Sequence, residues 1–288
     1  MRACFMTKES REETGRVLTR RRHSWHAVII RTSLLVCLAL SLGTLPTLPV
    51  SRGPVTHGSR ALRAVALTFD ACQTRHRAGY DQAIIRILRA THTPATLFLG
   101  GRWMESHREV THALAQDPLF ELASHSYSHP HLARLSQTAI HDEMRRTQDI
   151  MFSLAGRRGK LFRAPYGQYD DRVLRIAAGL GLTVVQWDLV SGDPDRRVTA
   201  RRIVQAVTTR VRNGSIIIMH MNGRGWHTAE ALPAIIARLK TQGYTLMTVS
   251  DLLRAAKQPR TVPAPHRPGS AASYPAVLPS STIAWKTR

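Results

Sequence analysis

The middle of the chain alternates between short apolar runs and longer segments in which apolar residues recur at helical spacing. Residues 63–69 (RAVALTF) are largely apolar, with β-branched and aromatic members, as in a buried parallel strand. Residues 80–90 (YDQAIIRILRA) repeat apolar positions at intervals of three and four, which predicts a helix. Further strands are predicted at 94–99, 120–124, 160–163, 182–187, 215–220 and 244–249. Further helices are predicted at 104–116, 137–155, 170–179, 199–212 and 228–242.

This alternation of strands and helices predicts an α/β fold. In 288 residues, repeated βα units form either a (β/α) barrel or an open doubly wound sheet, and the length suits one large domain with tails. Neither G-x-G-x-x-G nor G-x-x-x-x-G-K-[ST] follows the first predicted strand. A nucleotide-binding fold therefore lacks its usual sequence signature.

The two ends of the chain differ from this middle part. Residues 1–50 resemble an export signal, because a basic section is followed by an apolar run at 33–42 and then by small residues and prolines. The apolar run is short for a membrane span, so we expect cleavage after Gly43 and a periplasmic, envelope or extracellular protein. An uncleaved N-terminal anchor that attaches the protein to a membrane is the alternative. Residues 258–288 hold six of the 15 prolines and predict a disordered tail.

The chain is strongly basic, with 41 Lys+Arg against 19 Asp+Glu and a formal net charge of +22. That charge suits nucleic acid, an anionic envelope polymer or a membrane surface. The arginines are spread through the predicted helices without a recognition-helix or single-strand-binding pattern, so we expect no nucleic-acid partner. Of the three cysteines, Cys4 and Cys37 lie in the leader, which leaves Cys72 and no intramolecular disulfide after cleavage.

Polar residues follow several of the predicted strands. Each of four lies at or just beyond the carboxyl end of a strand, and these are Asp70, His125, Arg163 and His220. In a parallel barrel those ends share one rim, where barrel enzymes hold their catalytic residues. The sequence therefore predicts that these four side chains converge on one site.

A pair of histidines lies in the segment FELASHSYSHPHL at 120–132. His125 and His129 are four residues apart, which would place both on one face of a helical turn. Imidazole is the commonest neutral ligand of divalent transition metals, so we expect the pair to bind one ion. His131 follows Pro130 and is expected to remain outside the site.

With these residues in order, the segment 62–255 resembles the polysaccharide deacetylases of the NodB-homology type, carbohydrate esterase family four. The family's five motifs are T-F-D-D, H-[ST]-x-x-H, R-x-P-[YF]-G, an aspartate followed by tryptophan, and [LI]-x-H. Their counterparts here are TFDA at 68–71, HSYSH at 125–129, RAPYG at 163–167, Asp193 followed by Pro194, and IMH at 218–220. The resemblance implies a distorted (β/α) barrel of about seven parallel strands in a domain at 62–257.

The resemblance also implies an activity and a cofactor. Proteins of this family are metal-dependent N-deacetylases that hydrolyse acetamide groups of an N-acetylated amino-sugar polymer or oligomer. Peptidoglycan, chitin-like chains and exopolysaccharides are such substrates. His125 and His129 would hold the divalent ion, which we expect to be Zn²⁺, and the ion would activate a water molecule.

Five further positions would carry the family's catalytic roles. These are a general base, the arginine that orients it, a general acid, the carboxylate that pairs with the acid, and a backbone N–H that holds the oxyanion. The resemblance places them at Asp70, Arg163, His220, Asp193 and Tyr166, in that order.

The chain departs from the family pattern at two positions. The second aspartate of T-F-D-D, which supplies a third metal ligand in relatives, is replaced by Ala71. The ion would then be held by two histidines and water, or by another side chain such as Asp81 or Cys72; a site without metal, with Cys72 as a small buried residue, is the alternative. Pro194 replaces the tryptophan expected in the wall of the cleft.

Two other functions fit parts of the same pattern. A carbohydrate-binding member with weakened catalysis would tolerate Ala71, but it would have no need of the set Asp70, Arg163, Asp193 and His220. An amidohydrolase of the same fold that acts on small cyclic amides is the other alternative, and the export leader argues against it.

Overall fold

A computed structural model describes residues 53–73 and 79–256. The predicted leader and the proline-rich tail lie outside the described residues, so both stay predictions. Within the described part of the chain, no helix combines the length and the apolar character that a membrane span requires.

Eight parallel strands form one sheet. They are β1 (Ala64–Ala71), β2 (Ala95–Leu99), β3 (Phe120–Ser124), β4 (Leu161–Phe162), β5 (Thr183–Val184), β6 (Leu189–Val190), β7 (Ile216–His220) and β8 (Thr245–Met247). The order is β5-β4-β3-β2-β1-β7-β6, and β8 pairs with the start of β1. Before β1, Val55 forms a bridge with Val185 and His57 forms one with Ser215, so this segment contacts both halves of the sheet. The predicted distorted parallel barrel is confirmed.

The helices follow the strands as the periodicity predicts. They are α1 (Gln82–Ala90), α2 (Gly101–Ser106), α3 (Arg108–Gln116), α4 (Gln137–Ala155), α5 (Asp171–Gly179), α6 (Ala200–Arg210), α7 (Thr228–Thr241) and α8 (Val249–Ala255). Side-chain caps fix several of the starts: the Asp81, Ser136 and Asp170 side chains accept hydrogen bonds from backbone N–H groups in the first turns of α1, α4 and α5. The predicted helix at 104–116 is two helices, because His107 has a non-helical φ of −131°.

Two apolar layers surround β1. Val65, Leu67 and Phe69 pack in the layer between the sheet and helices that include α1, α6 and α7. Ala64 and Ala66 face the opposite side, which is the interior of the barrel. Alternate residues of β1 thus face opposite layers, and this alternation positions the site described below.

Helix α8 was not predicted. The apolar pattern of 244–249 reads as one strand, but β8 ends at Met247 and the Thr248 side chain accepts a hydrogen bond from the Asp251 N–H to start α8. Val249 and Leu252 then pack with the small residues of the barrel interior. The short strand β6 was also not predicted separately, because its residues Leu189 and Val190 follow directly on the predicted strand at 182–187.

Candidate active site

The interior-facing residues of β1 lead to the rim of the barrel. Asp70 faces the same side of β1 as Ala64 and Ala66, whereas Ala71 packs in the outer layer against the helices. Parallel pairing places Asp70 directly beside His220 at the end of β7. The predicted base and the predicted acid therefore lie side by side on neighbouring strands.

Asp70 forms a buried ion pair with Arg163. Nη1 of Arg163 donates to Oδ1 of Asp70 at 2.6 Å, and the guanidinium carbon lies 3.8 Å from the centre of the Phe98 ring. Burial alone raises the pKa of Asp70, but the charge of Arg163, together with its hydrogen bond, holds the pKa below its usual value. Asp70 is therefore ionised at neutral pH.

The ring of His125 is oriented by the same arginine. Nδ1 of His125 lies 2.9 Å from the backbone carbonyl of Arg163, and because a carbonyl only accepts, Nδ1 carries the proton. Nε2 then carries the free lone pair of the ring, and this atom lies 3.6 Å from Oδ2 of Asp70. Burial lowers the pKa of His125, which favours the neutral ring. A carbonyl behind one nitrogen and a free second nitrogen are typical of metal-binding histidines.

His125 and His129 are joined by a loop, so the expected helical turn is wrong. Ser126 and His129 both have left-handed φ angles of 61°, and the following Pro130 disfavours a helical conformation at His129. The two ring centroids still lie 4.9 Å apart. Burial lowers the pKa of His129 to about 3. Both rings are therefore neutral at physiological pH.

Glu143 on α4 holds this loop. Its carboxylate accepts hydrogen bonds from the backbone N–H groups of Tyr127 and Ser128 at 2.9 and 2.8 Å, and from the Ser128 hydroxyl at 2.6 Å. Charged hydrogen bonds of this kind are among the stronger ones in proteins. Glu143 therefore fixes the segment between the two histidines.

Replacement of Glu143 by glutamine should loosen that segment. The amide group has one acceptor oxygen in place of two, so we expect the free energy of unfolding to fall by about 1–3 kcal/mol, visible as a lower Tm. Asp149→Asn is the matched control, because this surface carboxylate lies on the same helix and pairs with Arg145 and Arg158. Equal losses of Tm in the two variants would contradict a special role for Glu143.

Three side chains at the rim could hold a metal ion. The Sγ of Cys72 and one ring nitrogen each of His125 and His129 all lie within 4.8 Å of one another. Two neutral imidazoles and a thiol form a donor set that fits a divalent transition metal such as zinc. The other candidate ligand, Asp81, instead accepts a hydrogen bond from the Ala83 N–H at 3.0 Å as the cap of α1.

His220 is paired with a buried carboxylate. Nδ1 of His220 lies 2.9 Å from Oδ1 of Asp193, and the backbone N–H of His220 donates to Oδ2 at 2.7 Å. The hydroxyls of Ser191 and Thr228 donate to the same carboxylate at 3.0 and 2.7 Å. Burial lowers the pKa of His220, but the hydrogen bond and the charge of Asp193 together raise this pKa by a larger amount, so the net shift is upward. This favours a protonated imidazole near neutral pH.

The site opens through two connected cavities. The inner one has a volume of about 230 Å³ and includes Asp70, His125, Trp187 and His220 in its walls. The outer one has a volume of about 1470 Å³ and is a groove with several arginines. Five side chains line both, so the two spaces are continuous; they are Cys72, His129, Tyr166, Pro194 and Arg224.

Tyr166 lies at the mouth of the inner cavity. Its φ of 58° is left-handed, and about half of its side chain is exposed. The ring stacks on His131 with centroids 4.1 Å apart and meets the edge of His129 at 4.5 Å. His131 thus supports Tyr166 and is outside the three-residue donor cluster.

The chain is similar in sequence and fold to polysaccharide deacetylases. A family model for polysaccharide deacetylases matches residues 57–185. The structure of the peptidoglycan deacetylase PdaC from Bacillus subtilis is 30% identical with a TM-score of 0.59, over 69% of this chain and 93% of that one. This chain belongs to the polysaccharide deacetylase family.

Two further relatives of this chain show how the family varies. A structure described as a CE4 family pseudoenzyme from Bacillus anthracis is 28% identical with a TM-score of 0.64, over 70% of this chain and 69% of that one. The uncharacterized protein YlxY from Bacillus subtilis is 30% identical over 175 residues, which are 60% of this chain. The match spans 53% of the length of YlxY, so this chain corresponds to about half of that relative.

Some residues at the candidate site lie outside the family motifs. Glu143 holds the backbone of two residues of the second motif, and Asn222 holds Cys72, the residue that follows the first motif. Arg224 and Trp226 line the outer groove. Asn222, Arg224 and Trp226 follow shortly after the fifth motif, but no motif gives them a role, so their contacts are known only from the folded structure.

Proposed function

We propose that this chain is a metal-dependent N-deacetylase that removes acetyl groups from amino sugars of an envelope polysaccharide. The observation that carries the proposal is the pairing of β1 with β7, which sets the Asp70–Arg163 pair beside the His220–Asp193 pair. The relative PdaC is named a peptidoglycan deacetylase, which favours peptidoglycan as the polymer. An envelope or extracellular location agrees with the predicted leader.

The reaction needs a base, an acid and an electrophilic activator. A divalent metal held by the two histidines, when bound, supplies Lewis acidity and activates water. Asp70 accepts the proton of the attacking water, and Arg163 keeps its carboxylate ionised and fixed. The backbone N–H of Tyr166 would donate to the oxyanion that forms from the acetamide oxygen.

His220 would supply the proton that the leaving amine requires. The His220 side chain is 19% exposed, whereas that of Asp193 is fully buried. Of the two side chains, only the imidazole of His220 can therefore reach a substrate. The Asp193 carboxylate favours the imidazolium before proton transfer. The amine then leaves as the neutral product while acetate remains in the inner cavity.

A binding protein without activity is the second candidate. The observations that favour it are Ala71 and the similarity to a structure described as a pseudoenzyme. The buried acid–base arrangement favours the enzyme, because a binder has no use for an imidazole whose pKa is raised beside an ionised aspartate.

Acetate release separates the candidate functions. Zinc-loaded protein is incubated with N-acetylglucosamine oligomers, with peptidoglycan and with a small cyclic amide, and the acetate or ring-opened product is measured. A deacetylase releases acetate from at least one glycan, a binding protein retains the glycans unchanged, and a cyclic amidohydrolase opens the cyclic amide alone.

The hydrogen-bonded partner of His220 should set the basic limb of the pH–rate profile. Asp193 raises the pKa of His220, so Asp193→Asn lowers it and the acid loses its proton at a lower pH. We expect the basic limb of kcat/KM to move to lower pH. Ser191→Ala is the control, because it removes one hydrogen bond to Asp193 without changing the charge. A basic limb that stays in place in Asp193→Asn would contradict this role.

The outer groove suits a polymer that carries carboxylates. Arg102 and Arg196 lie in its wall, and the Arg196 guanidinium stacks 3.9 Å from the centre of the Trp226 ring. Peptidoglycan bears carboxylates on its lactyl groups and peptides, and an exposed arginine attracts them most strongly at low salt.

Loss of one groove arginine should weaken polymer binding. For Arg196→Gln we expect KM for peptidoglycan to rise by ~3-fold at low salt, with little change at high salt and little change in kcat. Arg238→Gln is the matched control, since this exposed arginine lies on α7 and is not among the groove residues. A rise in KM of the same size for neutral N-acetylglucosamine oligomers would contradict recognition of carboxylates.

A further inference from the structure

The position after Ala71 returns to the interior of the barrel. Side chains alternate along β1, so Asp70 faces the site and Ala71 faces the helices. Cys72 is the first residue after β1, and it lines the same inner cavity as Asp70. A carboxylate at position 71 is therefore not needed for a third donor to face the histidines. Cys72, the next residue of the chain, already lies on the same side as Asp70.

Cys72 lies at the site and not in the apolar core. It is 4% exposed, yet it belongs to none of the apolar clusters formed by the described residues, and it lines both cavities. This placement argues against the alternative that Cys72 is simply a small core residue.

Asn222 fixes the sulfur. Nδ2 of Asn222 donates to the backbone carbonyl of Cys72 at 2.8 Å and lies 3.2 Å from its Sγ. A fixed N–H donor directed at a cysteine sulfur orients that side chain, as outer partners of metal ligands commonly do. The His125 ring is held in a similar way by the Arg163 carbonyl.

We infer that Cys72 is the third protein ligand of the metal site, which gives a Cys-His-His set where relatives use a carboxylate and two histidines. This inference deepens the proposed function by naming a ligand of the same site. On binding, a sulfur–metal bond forms and the thiol proton passes to solvent. A thiolate favours zinc and cobalt(II) over magnesium and manganese, so the site should select the softer ions.

Cobalt(II) reports the sulfur ligand directly. The full chain is prepared with Cys4→Ser and Cys37→Ser, so that Cys72 is the only thiol, and cobalt(II) is added without substrate. We expect a thiolate-to-cobalt charge-transfer band that saturates at one ion per chain. Cys72→Ser in this background should lose the band and bind zinc at least ~100-fold more weakly, beyond the usual effect of losing an outer partner. Cobalt that binds without this band, or unchanged zinc affinity in Cys72→Ser, would overturn the inference.

Two aspartate substitutions add a test in which the third donor is exchanged or a further carboxylate is added. Cys72→Asp should keep a third donor in the same phase, so metal binding persists while the preference shifts from zinc towards manganese or magnesium. Ala71→Asp should not tighten zinc binding, because Cys72 already supplies the third donor beside the two histidines. Tighter zinc binding in Ala71→Asp, together with unchanged zinc affinity in Cys72→Ser, would overturn the inference.

These binding measurements separate the inference from the proposed function. A charge-transfer band in a protein that releases no acetate leaves Cys72 as a ligand and removes the deacetylase proposal. Acetate release by a protein whose cobalt spectrum shows no sulfur ligand supports the deacetylase proposal and removes Cys72 as a ligand.

Discussion

Asp70→Asn is expected to lower acetate release by at least ~100-fold, the usual scale for loss of a positioned proton-transfer group. The amide cannot take a proton from water, but its oxygen can still accept the hydrogen bond that Arg163 donates at 2.6 Å. Bound zinc should remain, since Asp70 is not in the Cys72, His125 and His129 donor cluster. The measurement is kcat with zinc content determined on the same sample.

Stability must be followed in the same experiment. Removal of one charge from a buried ion pair costs about 3–5 kcal/mol, because Arg163 keeps its charge without a partner. If Asp70→Asn does not fold at the assay temperature, Asp70→Glu serves instead, since it retains the charge and displaces the carboxylate. Wild-type turnover in either folded variant would contradict the assignment of Asp70 as the base.

His129→Ala is expected to lose both bound zinc and activity. Its ring is one of three donors within 4.8 Å of one another, and it is neutral without metal. We prefer it to His125→Ala, which also leaves the Arg163 carbonyl without its 2.9 Å hydrogen bond in the buried interior. The measurement is zinc per chain after dialysis, with far-ultraviolet circular dichroism as a check of folding.

His131→Ala is the matched control for this variant. It removes a histidine two residues away that stacks on Tyr166 and is outside the donor cluster. Zinc should remain in this variant, while contacts of the substrate at the cavity mouth should weaken. Equal zinc loss in the two variants would mean that the histidine cluster is wrongly assigned.

Much of the fold could be predicted from the sequence. Strand β3 and helix α4 have the predicted limits, because their apolar patterns end at clear signals such as the Ser136 cap and the left-handed Gly156. The adjacency of Asp70 and His220 follows from parallel strands whose carboxyl ends share one rim. Strand β6 could not be predicted separately, since its two residues, Leu189 and Val190, carry no period of their own.

The support of the site could not be predicted in the same way. Glu143 lies 15 and 16 residues from the two backbone N–H groups that it holds, and Asn222 lies 150 residues from Cys72. Such contacts depend on how helices and loops pack, and a local pattern does not encode them. The direction of the Cys72 side chain could have been predicted. If the alternation of β1 continues for one residue past its end, Cys72 faces the same side as Asp70, and the sequence alone contains that pattern.

The structure also changes how Arg163 should be tested. On sequence grounds, Arg163→Ala would raise the pKa of the base and narrow the pH–rate profile. Because Arg163 is fully buried against Phe98 and paired with Asp70, that variant would leave an uncompensated carboxylate in the interior. Loss of folding would then hide the pH effect, so the profile is better probed through Asp193.

The central claim is that the paired acid and base, together with a bound metal, deacetylate a glycan. It is tested most directly by acetate release from N-acetylglucosamine oligomers and peptidoglycan, using the full chain before chelation, after chelation and after zinc is restored. Zinc-retaining Asp70→Asn is assayed in parallel. We predict release that disappears with chelation, returns with zinc, and is absent from Asp70→Asn. No acetate from the zinc-loaded wild-type protein, or equal release by Asp70→Asn, would contradict the claim.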